Sequence, residues 1–484
     1  MDNKYGVKDV NGNDAEIPLT PGQHGLLFHA LTDEGNSHYH EQFICRFSER
    51  IDVELFQWAI ETLFSKHDCF RTHFSWHEGQ QPCQIINQDL QPSFYVTDIS
   101  SVSDKTHFPL NNQIPLDYPQ DNDVEVLINQ FLRIDLQHSF DLNTIPVRAY
   151  LIQLPKESVF VLAYHHIVMD GWSLAIFLQQ LLTIYNTTKE TGIKNGQMIS
   201  SVPLKPFMQE IAKRQQNFQR DYWANYLQDL TPSHFEPLSL LPDSSELSDK
   251  SVVWLESTLS QIMNQKIQQF CGQYRITSAS LFYVVWGILL QRWLYSEDVV
   301  FGATFSGRNA AIEDIDSALG LFINTLPLRF KDDGSSTLID YLQQMHDRLM
   351  NHYDHEHDSL AKIKQVTPQA DYQGELFDSL VVIENYPIDS SQLTKEGQIS
   401  IESMRVQEQT HYPLSLGVVN QGGFLIKIGY FRHYFTDHMA HALLEHLHYL
   451  LEQIVDNPQC TLASLRNISP EQQQQYIQTQ INTM

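Results

Sequence analysis

The sequence predicts a mixed α/β protein built as two lobes. Three observations carry this. Residues 18–186 alternate strand-type and helix-type patterns, a polar stretch at 186–201 closed by Pro203 interrupts them, and 484 residues exceed what one hydrophobic core ordinarily supports. In chain order, Leu55, Phe56, Ala59, Ile60, Leu63 and Phe64 recur at helical spacing, and 70–74 then reads as a strand. Residues 158–164, rich in β-branched and aromatic side chains, form a second apolar strand. Beyond Gly171 and Trp172, Ser173 is placed to cap a helix whose stripe is Leu174, Phe177, Leu178, Leu181, Leu182 and Tyr185. After the linker come an aromatic-rich helical segment at 218–227, a helix at 280–294, and strands at 299–304, 380–383 and 424–428. A last helix follows Thr436, with Leu443, Leu447, Leu450, Leu451 and Ile454 on one face. No sequence repeat relates the halves.

Composition excludes several classes. A formal charge of −27 argues against nucleic acid or an anionic membrane as partner, since both demand clustered positive charge. The longest apolar run, 281–290, is too short to span a bilayer, and no charged-then-apolar signal opens the chain, so a cytoplasmic protein is expected. Cys45, Cys69, Cys83, Cys271 and Cys460 are odd in number and unclustered, which suggests neither a disulfide framework nor zinc. His352, His355 and His357 alternate with Asp354, Glu356 and Asp358, but that spacing matches no standard metal site, and no metal is expected. There is no glycine-rich phosphate loop, and Gly422-Gly423 runs on into Phe424-Leu425 rather than a serine attachment segment.

The chemistry is concentrated in His165-His166-Ile167-Val168-Met169-Asp170-Gly171, where the strand of residues 158–164 meets the following helix. A short turn between two packed elements holds side chains rigidly enough to present an imidazole, the group best suited to proton transfer near neutral pH. Successive strand residues point to opposite faces, so one histidine is expected to face substrate and the other to pack behind it. Asp170, in a buried turn, needs a charge partner.

His-His-x-x-x-Asp-Gly on such a turn resembles the signature of the condensation domains of nonribosomal peptide synthetases, relatives of chloramphenicol acetyltransferase. The resemblance extends along the chain. Residues 19–29, Leu-Thr-Pro-Gly-Gln-His-Gly-Leu-Leu-Phe-His, are similar to the family's opening segment; 66–74, with Arg71-Thr72 at their core, to its second block; and Gly320-Leu321-Phe322-Ile323-Asn324-Thr325-Leu326-Pro327-Leu328-Arg329 to a later one. Weaker echoes stand at 355–360 and 411–416, so the resemblance covers about residues 18–470.

It implies two chloramphenicol acetyltransferase-like lobes in a V, with one catalytic motif at the cleft and crossover segments from the second lobe closing it. The lobes are placed at 18–186 and 200–470, with a linker-like tail at 471–484. The implied reaction is amide formation between a carrier-bound acyl or peptidyl thioester and an amine, in antibiotic or other secondary-metabolite biosynthesis. His166 is the residue expected at the reacting amine, either accepting its proton or holding it and stabilising the zwitterionic intermediate; both remain open. His165 orients from behind, and Gly171 permits close backbone approach and offers an N–H near the oxyanion. Asp170 is structural, and the resemblance points to Arg71 as its cation. Trp172, Ser173, Asn324 and His29 are substrate-channel candidates, with packing and capping the favoured account of Trp172 and Ser173, and Asn324 best placed to hold a crossover segment. No cofactor is expected, because substrates arrive on the phosphopantetheine of partner carriers: a peptidyl carrier on the donor side, a second carrier or a free small amine on the acceptor side. A monomer is expected. A long, thin arm implies a tunnel entered near His166, with the acceptor arriving from the opposite face. Within the superfamily, Trp172-Ser173-Leu174-Ala175 differs from the Val-Ser-Trp-Arg of epimerising members, and heterocyclising members carry aspartates where both histidines stand here. The opening segment, with Met169 before Asp170, resembles the subtype that accepts donors ending in a D-residue. The alternatives are a non-catalytic recruiting or interaction domain of the same fold, which is a different functional class, and an epimerisation-type relative.

Overall fold

The computed structural model describes residues 15–469 and 473, except 33–38, 78, 100–123, 237, 239–251, 310–313, 368–373, 385–397 and 421; the tail at 471–484, residue 473 apart, lies outside them. The chain divides into two compact units. The first comprises Met1–Gln216, Arg308–Ile323 and Tyr386–Thr410, and the second Asn217–Gly307, Asn324–Asn385 and His411–Met484.

The first unit runs β1 (Ala15–Pro18), α1 (Pro21–Thr32), β2 (His40–Phe47), α2 (Val53–Lys66), β3 (Thr72–Ser75), β4 (Cys83–Ile86), β5 (Ser93–Asp98), α3 (Val124–Leu136), β6 (Val147–Gln153), β7 (Ser158–His165), α4 (Gly171–Thr191) and α5 (Leu204–Gln216). The second contains α6 (Arg220–Tyr226), β8 (Val252–Thr258), α7 (Gln261–Tyr274), α8 (Ser278–Trp293), β9 (Asp298–Phe305), β10 (Asn324–Lys331), α9 (Leu338–Tyr353), α10 (Leu360–Val366) and β11 (Ser379–Glu384). Strand β12 (Ile401–Gln407) belongs to the first unit, and β13 (Leu414–Asn420), β14 (Phe424–Phe431) and α11 (Asp437–Asp456) to the second.

The first unit's main sheet has the order β12-β2-β7-β6-β5, antiparallel except for β5 with β6. Strand β7 is buried at every residue, which explains why it reads as an unbroken apolar run rather than an alternation. Its two faces serve different cores. Phe160, Leu162 and Tyr164 pack with Phe56 and Leu63 of α2 and Phe177 and Leu181 of α4; Val159, Val161 and Ala163 pack with Ile128, Phe131 and Leu132 of α3. The helical stripe expected from Leu174 to Tyr185 is buried throughout, and α4 stops at Gly192, whose φ of +69° is the left-handed conformation that ends helices. A small sheet, β1-β4-β3, completes the unit.

Two segments distant in sequence belong to this unit. Ile315, Ala318, Leu319 and Phe322 lie in its core, as does Ile399. The boundary also falls later than the polar stretch at 186–201, because Leu204, Phe207, Met208 and Ile211 of α5 bury their apolar face in the same core.

The second unit is built on a six-stranded sheet, β10-β9-β11-β13-β14-β8, with parallel pairing only between β9, β11 and β13. The apolar run at 281–290 lies wholly buried in α8, and the stripe of α11 from Leu443 to Ile454 is fully packed. No helix among the described residues is long and apolar enough to cross a membrane. The histidine-rich turn after α9 is a hydrogen-bonded knot: His352 lies within reach of Tyr222 Oη and the Arg348 and Pro327 carbonyls, and His355 Nδ1 is 3.1 Å from Asp358 Oδ2. Among the described residues no group of three or more His, Cys, Asp or Glu is arranged to hold a metal. The fold class expected from the sequence is the one observed.

Candidate active site

Strand β7 ends at His165, and His166–Val168 form a single 3-10 turn before α4. This turn is pinned from several directions. The His166 N–H donates to the Tyr39 carbonyl at 2.8 Å, and Tyr39 itself sits at φ +64°, a strained backbone for a non-glycine residue. The Asp170 N–H donates to the Gly320 carbonyl at 3.2 Å. Gln23 Nε2 donates to the Ile167 carbonyl at 3.1 Å from the first turn of α1. That helix start is a capping box: Thr20 Oγ1 accepts from the Gln23 N–H at 3.1 Å, and Gln23 Oε1 accepts from the Thr20 N–H at 2.9 Å. Gly22 lets α1 approach the 320–323 segment, since a Cβ there would stand 2.5 Å from the Ile323 carbonyl oxygen. Gly22→Ala is therefore expected to destabilise the first unit by about 1–3 kcal/mol through overpacking, readable as a lower midpoint in thermal melts.

The two imidazoles differ in every respect. His166 keeps 19% of its side chain exposed, and its Nδ1 lies 2.9 Å from the Met169 carbonyl. A carbonyl only accepts, so Nδ1 carries a proton and Nε2 of the neutral ring holds the free lone pair. Burial works against the charged ring, but the Glu41 carboxylate, the Met169 carbonyl, Asp170 and Glu408 outweigh it and raise the pKa above 6.5. His165 is 5% exposed, and its Nδ1 accepts the Ile167 N–H at 3.2 Å. Burial, then the neighbouring His166 and His40, push it down to about 3. Strand alternation is not what separates the pair, because the strand has already ended when His166 begins the turn.

His165 stays neutral when folded and charges below pH 6.5 when unfolded, so the unfolded chain binds more protons there. Stability contributed by this group is lost as pH falls from 6.5 towards 3, by up to about 1.4 kcal/mol per pH unit. His352, held by burial at about 4, acts in the same direction in the second unit, and His166, with its raised pKa, opposes them. Melting temperatures between pH 7.5 and 5 should fall, and His165→Gln should flatten the decline; a wild-type melting temperature constant over that range would contradict it.

Asp170, fully buried, is the N-cap of α4; Ser173, expected in that role, is the third residue of the helix. Asp170 Oδ1 accepts from the Ser173 N–H at 2.8 Å, and Oδ2 from the Phe322 N–H at 3.1 Å. Its cation is Arg308, not Arg71. Arg308 Nη2 lies 3.0 Å from Oδ1 and 3.3 Å from Oδ2, while Nη1 donates to the Ile315 and Ala318 carbonyls at 2.7 and 3.0 Å. Its guanidinium carbon stands 4.4 Å from the Phe322 ring centre. Arg71 is spent elsewhere, on Asp68 at 2.7 Å and on Gln88, at the 3-10 turn before β3. The carboxylate thus ties the His166–Val168 turn to the 308–322 segment. Ser173 Oγ joins the tie, accepting from the Gly320 N–H at 3.0 Å.

The remaining candidates separate. Trp172 is half-buried, and its indole N–H donates to the Asp316 carbonyl at 2.9 Å. Gly171 opens α4, so its N–H belongs to the first turn, whose amides have no intrahelical acceptor. His29 is half-buried on α1, with its ring 6.1 Å from that of Tyr39. Asn324 belongs to the second unit, where its amide donates to the Glu356 and Asp358 carbonyls at 2.9 and 2.8 Å and holds the histidine-rich turn. Three site residues escaped the sequence reading. Gln23 stood in view as the fourth residue of a capping box. Arg308 gave only the weak signal of a lone arginine just beyond a strand, and Glu41 gave none.

The geometry thus presents an imidazole with an oriented lone pair on a braced strand-to-helix turn in a mixed α/β chain. The Condensation domain family model matches residues 13–477, and the chain belongs to that family. It is 28% identical over 469 residues to bacitracin synthase 3 of Bacillus licheniformis, covering 96% of this chain and 7% of that protein. It is also 29% identical over 470 residues to tyrocidine synthase 3 of Brevibacillus parabrevis, covering 95% of this chain and 7% of that protein. The chain therefore spans only a small part of the length of the curated relatives it matches. Among solved structures, it resembles the condensation domain from Monacolin K polyketide synthase MokA, at a TM-score of 0.73 and 16% identity, covering 93% of this chain and 99% of that one. It also resembles the first condensation domain of the calcium-dependent antibiotic synthetase, at a TM-score of 0.71 and 14% identity, covering 94% and 99%. Condensation domains of nonribosomal peptide synthetases are amide-forming acyltransferases that need no cofactor of their own.

Proposed function

We propose that this chain joins a carrier-bound acyl or peptidyl thioester to an amine, using His166. One observation carries the reading: the Nδ1–H bond to Met169 leaves the Nε2 lone pair of a partly exposed imidazole available. A thiol is a good leaving group, so positioning supplies much of the rate, and one oriented base suffices for the proton the nitrogen must lose. Neutral His166 accepts that proton or, by holding it, stabilises the zwitterionic intermediate. The Gly171 N–H is the candidate donor to the developing oxyanion.

The donor is a peptidyl carrier, and the opening segment with Met169 supports a donor ending in a D-residue. The acceptor is an aminoacyl carrier thioester or a free small amine. With a formal charge of −27, the protein docks its carrier through local apolar and hydrogen-bonding contacts, and modest salt dependence is expected. Incubation with carriers loaded with matched D- and L-ending peptides, against carrier-bound and free amines, tests this by mass spectrometry of the products. Amide from the D-ending series supports the full reading. Product from L-ending donors alone removes the subtype, and no product from any pair favours the recruiting-domain alternative.

A further inference from the structure

Glu41 lies on β2 directly opposite Tyr164 on β7, within hydrogen-bonding reach of that tyrosine's side chain, and is 6% exposed. Its Oε1 is 3.7 Å from His166 Nε2. That is too long for a hydrogen bond, but a nitrogen about 2.8 Å from each atom, seated about 2 Å to one side of the line joining them, would bond to both. A carboxylate is costly to bury, and the bonds described above brace the turn without it. Other charged or titratable groups acting on His166 and Glu41 come from three directions. Tyr164 and His165 are on β7, Asp170 caps α4, and Glu408 follows β12, while His40, adjacent on β2, acts on His165. Arg308 compensates Asp170, so the charge left beside Nε2 is net negative.

We propose that Glu41 binds the acceptor, holding it as an ammonium bonded to both its carboxylate and His166 Nε2. This rests on the amide-forming reading above. The ammonium gives one proton to Nε2, and Glu41 faces the imidazolium so formed. The amine lone pair then attacks the thioester carbonyl; the new C–N bond forms as the C=O π pair moves to oxygen. The oxyanion collapses, and the C–S bond breaks with its pair leaving on sulfur. The second proton lost by nitrogen neutralises that thiolate, and the imidazolium returns its proton to solvent. The sum is ammonium plus thioester giving amide, thiol and one proton. An alcohol of the same shape brings no positive charge, so the site selects amines.

The test uses the full chain, 15N-labelled at histidine, with n-butylammonium chloride and 1-butanol as probes. In the wild type, n-butylammonium should shift the His166 Nε2 resonance saturably and 1-butanol should not. Glu41→Gln should weaken that response about tenfold or more, the worth of one charge-assisted hydrogen bond. It should also lower the His166 pKa, with Glu41→Asp intermediate in both. In amide formation from a loaded carrier, Glu41→Gln should raise KM for n-butylamine far more than it lowers kcat. Equal responses to the two probes in the wild type would overturn the proposal without any variant, as would a Glu41→Gln protein that binds and titrates like the wild type. Glu41-dependent binding in a wild type that makes no amide would instead sink the amide-forming reading and leave the ammonium site standing.

Discussion

Arg308→Ala is expected to destabilise the first unit by about 3–5 kcal/mol, and Arg71→Ala to leave the His166–Val168 turn intact. Asp170 is completely enclosed, and among the described residues Arg308 is the cation paired with it, at 3.0 Å. Removing the guanidinium strands a buried anion and also abandons the Ile315 and Ala318 carbonyls that Nη1 satisfies. Asp170→Ala should be as damaging, because it strips the N-cap of α4, the Phe322 N–H acceptor and the partner of Arg308 together. The double variant should recover part of the loss, since neither charge is then left alone. Thermal melts of the four proteins measure this. An Asp170→Ala protein that melts like the wild type yet makes no product would move the carboxylate from structure into chemistry.

That pairing also marks where sequence reasoning reached its limit. The flanking elements were legible because each carried a local signal: an apolar run for β7 and helical stripes for α2 and α4. The motif itself named His165, His166 and Asp170. What joins them is not local. Asp170 and Arg308 are far apart in sequence, and no periodicity or turn signal links them. Arg71 lies inside a family-like block, which is what points to it, but its guanidinium is committed to Asp68 and Gln88. The helix cap was misplaced for a related reason. Ser173 and Asp170 are both good caps, and the choice fell to Asp170 because its carboxylate reaches the Ser173 N–H while the Ser173 hydroxyl is engaged with the 308–322 segment. Glu41 could not be found at all, since its meaning comes from standing across a sheet from Tyr164 beside a turn more than a hundred residues away.

The largest functional effect is expected at His166. His166→Ala removes a partly exposed ring whose hydrogen bond serves the Met169 carbonyl, so the fold should survive. Amide formation should fall by about 10²-fold or more, the range of a positioned acid–base group. The proposed role needs the neutral ring, and its pKa is raised, so the acidic limb of the wild-type rate should lie above pH 6.5. It should move down in Glu41→Gln, as the carboxylate is the first of the groups holding the proton on. His165→Ala should act differently, costing folding before chemistry, because that ring is enclosed and accepts the Ile167 N–H.

Single-turnover amide formation from a peptidyl-carrier thioester and an amine, followed by mass spectrometry for wild type and His166→Ala at matched folded concentration, addresses the central claim most directly. Rapid product with the wild type and a loss of about 10²-fold or more in the variant is the predicted result. Equal rates in the two proteins would contradict it.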